Sequence, residues 1–334
     1  MRRLQPVVAP ALLVILVGVV GSLFSRSNET YFKNALIAVA IVVALSTFVS
    51  NSGVLSFGHI SFVALGAFAA GVLTVDSSVK PSILPDLFPF LRDTTIGNVP
   101  SLLVAAAVGG VFAFLTGLPL MRLSGLAAGI ATFAVLEIVH NVLRYWTKIG
   151  PGPGAFSSVP ETTDMLQAAL GALAVVLVSF AYQQSRPGRL LRATREDAAA
   201  AQAVGVSVYR QRLLAFVISG ALAGFAGGLY IHFLLITVED VYLDLTFLTL
   251  AMLVIGGLGS LWGAVLGALL VSGVDSFLTE AENGIDVGFA LDLPSGTRLV
   301  VVGAFMALVL VLRPSGISGG RELTLRFPRR RGDA

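Results

Sequence analysis

A chain of 334 residues with 56% hydrophobic and only 12% charged side chains, and a mean hydropathy of +0.89, falls outside the soluble globular class, in which about a quarter of residues are charged. The absence of cysteine excludes a disulfide framework and a thiolate metal site. A formal charge of +3 would suggest nucleic acid in a soluble chain, but here the basic residues serve to orient a membrane protein and no nucleic-acid partner is expected.

In chain order, ten apolar segments reach or approach the roughly 20 residues that an α-helix needs to cross a bilayer. They lie at about 7 to 24, 32 to 50, 54 to 75, 100 to 121, 125 to 143, 165 to 184, 209 to 234, 244 to 258, 260 to 277 and 297 to 312. Their repeat is far longer than the alternating segments of a membrane barrel. The predicted fold is therefore all-α and polytopic, with about ten transmembrane helices in a range of eight to ten. The first segment follows MRRLQP in the layout of a signal peptide. No A-x-A-like cleavage site follows and many spans come after, so it reads as a retained span. The third and eighth segments are the weakest and are expected to be broken or re-entrant. The loop carrying Pro81, Pro85, Asp86, Pro89 and Asp93, and the stretch KIGPGPGAFSSVPETTD, are non-helical by their proline and glycine content. The expected organisation is one transmembrane domain over 1–320 and a basic cytoplasmic tail over 321–334.

With Arg2 and Arg3 in the cytoplasm, ten crossings return the C-terminus to that side. The cytoplasmic side then holds Arg2, Arg3, Arg122, Arg186, Arg189, Arg192, Arg195, Arg210, Arg212, Arg313, Arg321, Arg326 and Arg329 to Arg331, which is 15 of the 22 Lys and Arg and satisfies the positive-inside rule. The segment RPGRLLRATREDAAAAQAVGV, residues 186 to 206, faces the same side. Arg186, Pro187 and Gly188 break the preceding span, the following residues favour helix, and Gly205 supplies a C-terminal stop. A short helix over about 189–205 is expected outside the membrane. It suits docking into a groove of another protein, or lying on anionic lipid headgroups through Arg189, Arg192 and Arg195; composition does not choose between the two.

Glycines at four-residue spacing, Gly220, Gly224 and Gly228 and again Gly259, Gly263 and Gly267, form stripes along which helix backbones can approach, so packing is their expected role. Glu137, His140, Asn141 and Arg144 share one face of the fifth span, and only Glu137 lies deep in a span. They read either as a wall or outer gate of a translocation pathway or as an interhelical ion pair. Asn51, Ser52, Ser56, His59 and Ser61, interleaved with Gly53 and Gly58, form a polar join of the kind that lines a cavity or is buried in protein. His59 alone would otherwise be a hydrogen-bonded structural residue. No phosphate-binding loop exists, since none of Lys33, Lys80 and Lys148 follows a glycine, and no HExxH or GxSxG motif appears. The chain is therefore not expected to be an enzyme.

TREDAAAAQAVGV resembles the EAA loop of ABC importer permeases. SGVLSFGHISFVALGAF (52 to 68), MRLSGLAAGIATFAVLEIV (121 to 139), REDAAAAQAVGVSVYRQRLLAFVISGALAGFAGGLY (195 to 230), LAMLVIGGLGSLWGAVLGALL (250 to 270) and LRPSGI (312 to 317) resemble, in family order, the branched-chain amino-acid importer permeases, in the M-type (LivM-like) subunit. That resemblance implies a multi-pass protein of the bacterial inner membrane. It makes 189–205 a coupling helix docking to an ATPase subunit, with Arg189, Arg192, Arg195, Glu196, Asp197, Ala200 and Gly205 at the interface. It also implies a second, H-type permease subunit, two ABC ATPases carrying ATP and Mg, an external substrate-binding protein and surrounding membrane lipid, with no cofactor on this chain. Relatives that serve urea, short amides or aromatic acids keep other substrates open. A secondary transporter would show inverted repeats and midplane carboxylates, and a membrane scaffold would leave the 189–205 helix without a partner.

Overall fold

The computed structural model describes residues 5–24, 26–282, 285–286, 290–291, 294, 296–313 and 315–323. Arg2, Arg3 and most of the basic tail, including Arg326 and Arg329 to Arg331, lie outside the described residues. Seven described helices are long and apolar enough to cross a membrane. They are α1 (Gln5–Ser22), α2 (Arg26–Ser52), α6 (Asn98–Leu120), α7 (Gly125–Tyr145), α8 (Met165–Gln184), α11 (Val208–Ile231) and α13 (Leu261–Glu282). Three expected spans are shorter: α3 (His59–Thr74), α12 (Leu243–Gly256) and α14 (Thr297–Leu312). Two one-turn helices, α4 (Lys80–Ile83) and α5 (Pro89–Arg92), occupy the proline-rich loop expected to be non-helical, each with proline in its first turn. A two-rung antiparallel pair, Ile285 opposite Leu291 and Asp286 opposite Ala290, precedes α14.

Helix α11 is the hub, and glycine makes it one. A Cβ on Gly224 would stand 2.3 Å from the carbonyl oxygen of Ala105 on α6, and one on Gly227 would stand 2.0 Å from that of Val63 on α3. Gly220 and Gly228 also face α6, against Ala113 and Leu102. The 220/224/228 stripe therefore packs as expected, and the adjacent Gly227 gives α11 a second close face. Lipid is as apolar as these side chains, so backbone proximity and dispersion, not a hydrophobic driving force, hold the three helices together.

The second stripe differs from expectation. Helix α13 starts only at Leu261, because Ser260 accepts a hydrogen bond from the Gly263 amide at 2.9 Å. Gly259 is thus in the turn, against the backbone of Gly320, and Gly256 of α12 stands opposite Gly263 and Gly267 in its stead. At about 1.5 Å per residue, the 14 residues of α12 rise roughly 21 Å, short of a hydrocarbon core of about 30 Å. The chain after α14 fills the shortfall. Ile317 and Ser318 donate their amides to the carbonyls of Ile255 and Gly256 at 2.8 and 3.1 Å, while the Glu322 carboxylate accepts the Leu261 and Trp262 amides at 2.7 and 3.1 Å. Both helix ends at this turn are satisfied by protein, as non-helical backbone at such depth requires. Gly257, at φ +116°, and Gly316, at φ +73°, let the two segments touch at the backbone.

Contacts sort the loops into two ends of the bundle. At one end Arg195 reaches Ser50, Arg192 reaches Gln183, and Tyr209 and Arg212 reach Leu118 and Leu123. At the other, Asn98 meets Gln167, Thr147 meets Asp86, and His232 meets Thr74. In the second end's loop the buried Lys80 ammonium donates to the carbonyls of Leu91 and Thr94, and desolvation lowers its pKa. The expected up-and-down threading of ten segments, the short ones included, reproduces this sorting.

Candidate functional site

The polar join after α2 has a buried network at its centre and a cavity along its first residues. Gly53, at φ +71°, ends α2, and residues 53–58 return toward α3 against α7, where a Cβ on Gly58 would lie 2.3 Å from the Thr132 carbonyl. Ser219 on α11 donates its hydroxyl to the Ala44 carbonyl at 2.6 Å. It must then accept from His59 Nε2, 2.7 Å away, leaving Nδ1 to accept from the Ser56 hydroxyl, also at 2.7 Å. The rings of Phe48, Phe62 and Phe216 surround the imidazole. Asn51 donates to the Thr47 carbonyl of its own helix, and Ser52 accepts the Val54 amide. Among the residues expected along a pathway here, Ser52 lines a cavity; Asn51, Ser56 and His59 are buried, with Asn51 bonded to Thr47 of α2, Ser56 to His59, and His59 also to Ser219 of α11.

The polar face of α7 meets the 3₁₀ turn Glu239–Val241 that follows α11. The Glu239 carboxylate accepts from Arg144 at 2.5 Å and lies 3.2 Å from His140 Nε2. The His140 and Tyr242 rings stack at 3.8 Å, and Glu137 accepts from the Tyr242 hydroxyl and from Asn141. With Arg144 39% and Glu239 55% exposed, this pair contributes at most about 1 kcal/mol. It positions α7 against the turn, and its acidic member also lines a cavity.

The single helix expected over 189–205 is two. Ser185 closes α8 and caps α9 (Arg186–Glu196), with Pro187 in its first turn, so the predicted breakers also start a helix. Asp197 is extended and accepts the Ala200 amide at 2.9 Å, ending α9 and capping α10 (Ala198–Ala203). Gly205, at φ +83°, ends α10: its amide donates to Gln202 and the Val206 amide to Ala201, the paired bonds of a Schellman stop. The arginines divide. Arg192 donates to the Gln183 carbonyl and Arg195 to the Ser50 carbonyl, both at 2.6 Å, so they pin α9 to the C-terminal turns of α8 and α2. Arg189, Glu196, Asp197, Ala200 and Gly205 are exposed, as is Val204 at 79%.

Two cavities lie at opposite ends. One of about 560 Å³ is bounded by Ser52 to Leu55, Thr194, Arg195, Ala198 and Arg212, directly behind α9 and α10. The other, of about 600 Å³, lies among α2, α11, α12, α13 and α14 and contains Asp244, Asp275 and Arg298. The Arg298 guanidinium stands 3.4 Å from the Asp275 carboxylate. The expectation that Glu137 alone lies deep in a span is corrected here: Asp275 sits within α13 and is 7% exposed. It lies inside the predicted ninth span, so the signal was present. Arg298, Ser219 and Glu322 carry no such local signal, because their partners are remote in sequence.

Apolar helices packed through glycine, with cavities that carry charged side chains at both ends, define a membrane protein of the solute-transporting class. The chain belongs to the family described as branched-chain amino acid transport system / permease component, whose model matches residues 33–310. It is similar to the high-affinity branched-chain amino acid transport system permease protein LivM of Escherichia coli K12, 27% identical over 328 residues, covering 88% of this chain and 70% of that protein. A probable branched-chain amino acid transport permease protein LivH of Methanocaldococcus jannaschii is 24% identical over 310 residues, with 86% and 90% covered. The autoinducer 2 import system permease protein LsrC of an Enterobacter is 30% identical over 190 residues, with 53% and 55% covered.

Proposed function

We propose that the chain is one permease half of an ATP-driven importer of branched-chain amino acids in the bacterial inner membrane. Its partners would be an H-type permease, two ATPases that bind ATP and Mg, and an external binding protein. The end carrying α9 and α10 and both termini face the cytoplasm in this reading. The observation that carries it is the pairing of anchored and exposed parts in 186–205. Arg192 and Arg195 fasten α9 to the ends of α8 and α2, while Asp197 and Gly205 hold α10 with Ala201 turned inward and Ala198, Ala199, Ala200 and Ala203 uncovered. A rigid lever whose small-residue face is free suits a moving partner better than a lipid surface, which would engage the arginines. Movement of the ATPases would pull α9, and through it α2 and α8, opening the bundle toward one end or the other.

The substrate reading follows the family and the relatives covered over most of their length, against which the autoinducer 2 permease aligns with 53% of this chain. Its test is reconstitution of the chain with the H-type permease, the two ATPases and the binding protein in proteoliposomes. ATP-dependent accumulation of L-leucine is expected; uptake of urea, a short amide or an aromatic acid in place of leucine would overturn the substrate reading, and leucine uptake without ATP would make the chain a secondary transporter.

A further inference from the structure

The cavity at the end opposite α9 and α10 holds both signs of charge beside an apolar wall. Its volume of about 600 Å³ is within the range of pockets that enclose small ligands. Among the described residues four carboxylates line it, Glu239, Asp240, Asp244 and Asp275, against one cation, Arg298. Two are engaged by groups other than Arg298: Glu239 accepts from Arg144, and Asp240 accepts the amide and hydroxyl of Thr237, each at 2.7 Å. Asp244 sits exposed in the first turn of α12, and Asp275 faces Arg298. The Arg298 side chain is 33% exposed and gives one guanidinium nitrogen to Asp275; among the described residues its other guanidinium N–H donors have no hydrogen-bond partner. Phe233, Leu248, Val302 and Met306 are part of its apolar wall.

We propose that this cavity is a binding station for a free aliphatic α-amino acid. Its ammonium sits against Asp275, its carboxylate against Arg298, and its side chain against Leu248, Val302 and Met306. An α-amino acid carries both charges on one carbon. A carboxylate and a guanidinium 3.4 Å apart can therefore give up their mutual pair for two pairs with the ligand, with no net charge added to a poorly solvated site. An amine or a fatty acid of the same shape would leave one protein charge unmatched. The proposal rests on the amino-acid importer reading and adds where, within this chain, the amino acid is held.

The test uses the complete complex in proteoliposomes, with L-leucine, 4-methylpentanoate (no ammonium) and 3-methylbutylamine (no carboxylate) as probes. Direct binding is measured without the binding protein, and uptake with it. Leucine is expected to bind, with the two analogues about tenfold weaker or worse. Asp275→Asn and Arg298→Gln are each expected to lower leucine binding and uptake by about tenfold or more. Gly303 lines the cavity with nothing within 4 Å of its would-be Cβ. Gly303→Phe therefore places a ring in the cavity while keeping both members of the ion pair, and it is expected to leave the complex assembled while cutting uptake to a similar extent. The exchange Asp275→Arg with Arg298→Asp separates a ligand site from a structural pair: the complex should assemble, and uptake should stay as low as in the single variants. Recovered uptake in the exchange, equal binding of the three probes, or normal transport by Gly303→Phe would overturn the station while leaving the importer reading intact. A wild-type complex that moves no amino acid would remove both.

Discussion

Gly227→Ala is expected to deplete assembled protein in the membrane, whereas Gly273→Ala is expected to be tolerated. The two substitutions are chemically identical. A Cβ on Gly227 would sit 2.0 Å from the Val63 carbonyl oxygen and 3.0 Å from the Ala67 amide nitrogen. Those are backbone atoms of α3 and cannot rotate aside, so α3 and α11 must separate, which takes His59 out of register with Ser219 as well. Overpacking costs about 1–3 kcal/mol in soluble cores and more where the neighbour cannot yield. Gly273, in α13, has nothing within 4 Å, and alanine there gains helix propensity of about 1 kcal/mol. Thermal stability of the two purified variants checks the pair; equal melting would mean that α11 does not approach α3 through glycine.

Gly205→Val is expected to abolish coupled transport while leaving the amount of assembled complex unchanged. No atom lies within 4 Å of a Cβ at this position, so its effect comes from φ +83° alone. A residue with a Cβ in that region costs about 1–2 kcal/mol, and a β-branched one is a genuine outlier. The valine variant would relax by losing the two carbonyl-capping bonds that end α10, shifting the exposed face at Val204. Gly205→Asn, which tolerates the left-handed region, should retain most activity. Leucine uptake and ATP hydrolysis measured on the same proteoliposomes check this: valine should leave ATP hydrolysis and lose its dependence on substrate delivery. Normal coupled uptake by the valine variant would show that the shape of this stop is irrelevant to the motor.

The elements legible in the sequence are those whose cause is local. Apolar length marked the spans, including the weakness of the third and eighth, and four-residue glycine spacing marked the face α11 gives to α6. Gly205 was legible as a stop because a left-handed residue after an alanine-rich helix has a known signature. Asp197 was not legible as a break. Its flanking residues all favour helix, and only its side chain on the Ala200 amide shows that two helices meet there. Spacing places Gly259 in a helical stripe, because it cannot show that Ser260 caps a helix that begins only at Leu261, two residues further on. The roles of Arg192 and Arg195 split for a tertiary reason: the carbonyl ends of α8 and α2 happen to lie beneath them. The charged cavity pairs α13 with α14 and borders a turn whose Glu239 meets α7 95 residues earlier, so no local pattern could assemble it.

In the proposed importer the segment carrying α9 and α10 faces the ATPase side of the membrane. The chain has no cysteine of its own, so Val204→Cys, at a position 79% exposed, gives a clean report with a membrane-impermeant thiol reagent. The account predicts no labelling in intact cells, full labelling in inside-out vesicles stripped of ATPases, and protection when the ATPases are added back, with the exposed Ser77→Cys behaving in the opposite sense. Labelling of Val204→Cys from outside intact cells would place this segment away from any cytoplasmic ATPase and contradict the account.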